Sequence, residues 1–141
     1  MHRIHARHLR GHCNAELVAL VEAADYALVP RGQVHEGTVS DALRPVGLGL
    51  DEPVGNVSFA GRCLVRGNVA GHLVLRESMS PVSVFLMPGE HVSRASSFER
   101  EGWHGVVVPA QAGSVGVVVP DGKRVDPALL ELLVRAVRWP A

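Results

Sequence analysis

The chain has 141 residues, 47% of them hydrophobic and 4% aromatic, the length and apolar content of one small globular domain. Its 14 basic and 14 acidic side chains cancel to a formal net charge of zero. That balance, with a single Tyr, excludes the basic, aromatic-lined stripe of a non-specific nucleic-acid binder, so no nucleic-acid partner is expected.

The first twelve residues hold His2, His5, His8 and His12, half of the chain's eight histidines, and Cys13 follows them. On a helix, His5, His8 and His12 fall within one narrow arc, a face able to ligate zinc, copper or nickel, or a haem iron. Gly11 weakens such a helix, and Arg3, Arg7 and Arg10 stand among the histidines without one acid. The competing reading is therefore a solvated or membrane-proximal basic face.

Residues 15–29 place Leu17, Leu20, Val21, Ala24 and Leu28 on one helix face behind Asn14 as N-cap. Pro30 to Gly32 end that helix, and Thr38 to Asp41 resemble the capped start of a short helix stopping near Pro45. From residue 56 the pattern changes to β-branched runs divided by turn residues: NVSFAGRCLVR, VAGHLVLRE, PVSVFLMP, WHGVVVP and SVGVVVP. Between the third and fourth lies GEHVSRASSFEREG, a polar stretch that reads as a long loop. Asp126 as N-cap and Pro127 at the first helical position open a final helix with Leu130, Leu133, Val134 and Val137 on one face.

The expected fold class is α+β: an antiparallel sheet of about five strands with N-terminal helices and a C-terminal helix packed on one face of it. Residues 1–54 form a helical segment with linker and residues 55–141 the β meander and last helix, together one compact domain. No stretch approaches the roughly 18 consecutive apolar residues of a membrane helix, so the chain itself reads as soluble. The charged start is not followed by the apolar core of a signal peptide, so work outside the cytoplasm would depend on an upstream element.

Two cysteines without a C-x-x-C pair support neither a zinc ribbon nor a thioredoxin-like site. The better-argued thiol is Cys63. If Gly67-Asn68 forms a two-residue hairpin turn, Arg66 pairs with Val69 and Cys63 stands directly opposite His72. Directly opposed side chains share a face with Cβ atoms roughly 4.5–5.5 Å apart. Thiolate and imidazole at that range could hold a zinc or copper ion, with Met87, His91 and His104 as candidates for further ligands. An imidazolium there could instead make Cys63 a reactive thiol. The plain alternative is a small buried thiol beside a hydrogen-bonded core histidine.

Catalysis has no positive signal. There is no G-x-S-x-G elbow, the serines from Ser93 to Ser97 have no identifiable base, and Gly47-Leu-Gly49 does not follow a predicted strand. No catalytic residue is therefore assigned, and the domain is expected not to be an enzyme. An enzyme using Cys63 as nucleophile and His72 as base is the weakest of the functional readings.

The segments VSDALRPVGL, NVSFAGRCLVRGNVAGHLVLR, PVSVFLMPGEHV and FEREGWHGVVVPAQAGSVGVVV, with a last helix ending in VRW, resemble the C-terminal soluble domain of a bacterial membrane-protein family. That family is a domain of unknown function often encoded beside extracytoplasmic-function sigma factors, and the resemblance covers about two thirds of the chain or more. It implies an extracytoplasmic, periplasmic module of an anti-sigma-like regulator, preceded in such proteins by a cytoplasmic region and one transmembrane helix. This chain begins at Met1, so it reads as either a truncation or a stand-alone relative of that layout. Cys63 and His72 occupy the family's Cys and His positions. In the periplasm a Cys13–Cys63 disulfide would compete with metal binding.

The leading expectation is a non-catalytic sensory or interaction domain that answers to metal or redox state. Its partners would be the upstream transmembrane segment, a periplasmic protein, or further copies of itself. The alternative is a stand-alone periplasmic metal-binding protein that uses the N-terminal histidines with Cys13.

Overall fold

The computed structural model describes residues 17–21, 34–77 and 80–140. Residues 17–21 are helical (α1). Helix α2 (Glu36–Leu43) follows, then a 3₁₀ turn (Arg44–Val46) and a short strand β1 (Gly49–Leu50). Six strands succeed it: β2 (Val57–Val65), β3 (Asn68–Glu77), β4 (Ser80–Met87), β5 (Ser96–Arg100), β6 (Trp103–Ala110) and β7 (Gly113–Pro120). Helix α3 (Pro127–Ala136) and strand β8 (Val137–Arg138) close the chain.

The main sheet is antiparallel throughout, in the order β2-β3-β4-β7-β6-β5, and β1 pairs separately with β8. Two three-stranded meanders thus meet at the β4–β7 seam. The seam strands are covered on both faces, which is why PVSVFLM and SVGVVV run apolar or small with little alternation. The expected α+β class with helices at both ends stands, but the sheet has six strands where five were expected, and its helices lie on both faces where one was expected, α1 opposite α2 and α3.

The additional strand, β5, lies inside the stretch expected to be a loop. SSFER is exposed at all but Phe98, so it carries no core-facing alternation of its own. It is a strand because β6 offers it a ladder, with Phe98 opposite Gly105, over which the Phe98 ring folds.

Helix α3 begins as expected. The Asp126 side chain accepts a hydrogen bond from the Ala128 amide at 2.9 Å, and Pro127 occupies the first turn where no amide hydrogen is needed. Helix α2 starts earlier than expected, with His35 at the N-cap and no side-chain cap. Glu36 in its first turn complements the helix dipole instead.

One apolar cluster fills the space between α2, α3 and the first face of the sheet, built on Leu73, Leu75, Val84, Leu86, Val115 and Val117. A second lies on the opposite face, where Leu17 and Val21 of α1 pack with Val65, Ala70, Phe85, Met87, Val107 and Val118. Glycines seat the helices on both sides: the Leu43 side chain occupies the space above Gly71, and Leu17 that above Gly116. The wall of each socket is a neighbouring strand's side chain.

Candidate functional site

The hairpin joining β2 to β3 decides how Cys63 and His72 meet. Its turn is Arg66-Gly67, not Gly67-Asn68, with φ of 53° and 84°, the two positive values that a type I′ turn requires. Moving the turn back by one residue pairs Val65 with Asn68, Cys63 with Ala70 and Gly61 with His72. The expectation that Cys63 stands directly opposite His72 is therefore corrected. Because the register slides by two positions, the faces are kept, and the two residues become diagonal neighbours on the second face, roughly 7–8 Å apart at the backbone.

The other two corners of that diagonal are Gly61 and Ala70, among the smallest side chains available. The ring of Phe59 covers Gly61. Cys63 is half-buried and His72 is buried.

The His72 ring stacks on Phe85 at 4.5 Å between centroids, 13° from parallel, and meets Phe59 edge-on at 5.5 Å. Its Nε2 is buried without a hydrogen-bond partner. Loss of hydration pushes the imidazole pKa down from 6.5 to about 4. At neutral pH His72 is uncharged, so it supplies no imidazolium to activate a thiol. It does present an unprotonated ring nitrogen, the state a metal ligand needs.

The other candidate ligands scatter. Met87 is buried on the same face, but its methyl end lies beside Gly116, toward α1. His91 is exposed after β4. His104 lies on the opposite face of β6, between Glu99 and Val119, with its Nδ1 3.8 Å from Glu99. Among the described residues, no three His, Cys, Asp or Glu side chains gather closely enough to hold a metal ion. His5, His8, His12 and Cys13, and with them the Cys13–Cys63 pairing, lie outside the described residues. No described helix is long and apolar enough to cross a membrane.

Sequence reasoning missed two polar features of the second face. Ser83 and Ser114 are wholly buried there, and Ser114 Oγ has no hydrogen-bond partner. The signal was the apolar run itself, which a Ser interrupts in both β4 and β7. A second feature outside the expected site is a cleft of about 230 Å³ between α2, β1 and the start of β2, bordered by Glu36, Asp51 and Glu52.

One family model, described as "Protein of unknown function (DUF3379)", matches residues 12–134. No curated protein and no solved structure matches the chain.

Proposed function

The chain belongs to the DUF3379 family, and we propose that it serves there as a non-catalytic sensory and interaction domain. We place it outside the cytoplasm, on the periplasmic face of the inner membrane, as part of an anti-sigma-like membrane regulator. The membrane setting rests on the resemblance of the Cys63 to His72 hairpin and the Phe98 to Pro109 segment, in β5 and β6, to such regulators. The sensory role rests on one observation: Leu17 and Val21 of α1 are completely buried against the sheet face that carries Cys63 and His72. Whatever binds on that face must perturb the seat of the N-terminal helix, the element that would pass the signal on.

The stimulus we assign is one zinc or copper ion taken by the Cys63 thiolate and the neutral His72 imidazole, other positions being filled by water or a partner. Binding would draw the ring away from Phe85 and so loosen the packing under Leu17. It would also satisfy a buried nitrogen that now lacks a partner, a defect that costs about 1–3 kcal/mol.

Elemental analysis and thiol titration of the full chain, purified without an affinity tag, test this. One equivalent of metal should be lost in Cys63→Ser and retained when His5, His8 and His12 are all replaced. Metal loading should also change hydrogen exchange at residues 17–21. Metal-free protein with Cys63 in a disulfide would overturn the metal reading, and loading that leaves α1 exchange unchanged would overturn the relay.

A further inference from the structure

The thiol of Cys63 and the imidazole of His72 are two donors, and the register shows where a third stands. Cys63 pairs with Ala70 across the β2–β3 ladder, and the step after Gly71 with Leu86 sets Ala70 beside Met87 of β4. His72 is the next residue of β3 on the same face, because alternate residues of a strand share a face. Ala70 is therefore flanked on the second face by Cys63 on one side, Met87 on the other and His72 along its own strand. Neighbouring strands lie about 4.7–4.9 Å apart, so Cys63 and Met87 stand about 10 Å apart at the backbone, a span that a thiolate, an ion and a thioether can bridge. Between them is only a methyl group, that of Ala70.

The donor set and its surroundings select the ion. Met87 is 1% exposed and His72 5%, and the cluster around them is Leu17, Val65, Ala70 and Phe85. In such surroundings a net charge is expensive. Copper(I) held by one thiolate and two neutral donors is neutral as a unit, whereas zinc in the same set keeps one positive charge. Zinc also needs a fourth donor, and among the described residues no three His, Cys, Asp or Glu side chains gather. A thioether is a soft donor that suits copper(I).

We propose that Met87 is the third ligand of the Cys63–His72 site and that its ion is copper(I). The inference rests on the metal reading given above and narrows it. Cys63 is half-buried and the other two ligands are buried, so the thiol is where the ion enters. The thiol releases its proton to solvent as the copper–sulfur bond forms, and the oxidation state of the ion does not change. Met87 also ties the site to α1. The Cβ position of Gly116 is 2.8 Å from Leu17 Cδ1 and 3.2 Å from Met87 Cε, so the two side chains share one socket. Turning the thioether toward an ion above Ala70 removes one of the two groups seated there, and Leu17 loses a neighbour.

The test loads the full chain with copper(I) without oxygen, in a Cys13→Ser background so that Cys13 adds no sulfur. Affinity is read by competition with the copper(I) chelator bicinchoninate, and the coordination by X-ray absorption. The spectrum should show two sulfurs and one nitrogen per copper, falling to one sulfur in Met87→Leu. That swap keeps side-chain volume, and circular dichroism checks its fold. It should weaken copper(I) binding about tenfold or more and leave zinc binding unchanged. Copper(I) lost in Cys63→Ser but held equally in Met87→Leu, with the same sulfur count, would overturn the role of Met87 and leave the Cys63–His72 reading standing. Equal weakening of copper(I) and zinc in Met87→Leu would overturn it too, by making Met87 a packing residue. Binding of neither metal that depends on Cys63 would overturn both readings together.

Discussion

Odd and even residues of the same central strands obey different demands. Along β3 the first-face positions are Leu73 and Leu75, continued across the sheet by Val84, Leu86, Val115 and Val117, an aliphatic surface closed by α2 and α3. The second-face positions of the same strands include Ala70, His72, Ser83, Phe85, Ser114 and Gly116, a mixture of small, polar and aromatic groups closed by α1. An aliphatic face is the cheapest way to stabilise a sheet. A face that keeps a buried imidazole and two buried serines forgoes part of that stability, so it is where a role other than stability should be sought.

Adjacent positions on β3 give the sharpest test of that contrast. Leu73→Ala opens a hole in the first face and should cost about 2–5 kcal/mol in urea denaturation at pH 7. His72→Leu replaces a ring whose Nε2 has no partner, so it should lie within about 1 kcal/mol of wild type, in either direction. A loss at His72 equal to that at Leu73 would break the comparison, because it would make the histidine a structural member of its face.

The same residue should give the two faces different pH responses. Folded His72 stays neutral down to about pH 4, whereas in the unfolded chain it titrates near 6.5. Between those values the unfolded state takes up a proton that the folded state refuses, so this residue's contribution is whole above about pH 7 and falls as the pH drops toward 4. At 1.36 kcal/mol per pKa unit the full loss is about 3 kcal/mol. The stability difference between wild type and His72→Leu should therefore shift by that amount between pH 7 and pH 4, in favour of the variant. Leu73→Ala should show no such shift against wild type.

What was legible in the sequence follows from how local each determinant is. The start of helix α3 is written in Asp126-Pro127, but of the expected face only Leu133 is among its buried residues, Leu129, Leu133 and Ala136, and Val137 lies beyond it in β8; β4 and β7 are written in their β-branched runs, because burial on both faces leaves a continuous signal. Strand β5 was not legible, since only Phe98 of its five residues faces apolar neighbours and its ladder is supplied by β6. The hairpin register was not legible either. Gly67-Asn68 looks like the favoured turn pair, whereas the observed turn puts Arg66 at a positive φ and uses Asn68 to reach Glu90, 22 residues away. Parity survived that error, so Cys63 and His72 were correctly placed on one face but not opposite each other. Nor could spacing show that His72 would stack on Phe85 and meet Phe59 edge-on, because Phe59 and Phe85 come from two different strands.

The glycine sockets offer the smallest and most local test of the two faces. A Cβ at Gly116 would stand 2.8 Å from Leu17 Cδ1 and 3.2 Å from Met87 Cε, both ends of flexible side chains that can move aside. A Cβ at Gly71 would stand 2.7 Å from Leu43 Cδ2 of α2. Neither glycine has a positive φ, so Ala at each also restricts the unfolded chain, which stabilises by about 0.4–1 kcal/mol and offsets much of the crowding. Global stability should therefore move by under about 1 kcal/mol in both variants. Hydrogen exchange should separate them: Gly116→Ala should accelerate it at residues 17–21 and leave α2 alone, and Gly71→Ala should do the reverse. Exchange that rises in both helices for either variant would mean that the two faces open together, and α1 could not then act as an independent relay for its own side of the sheet.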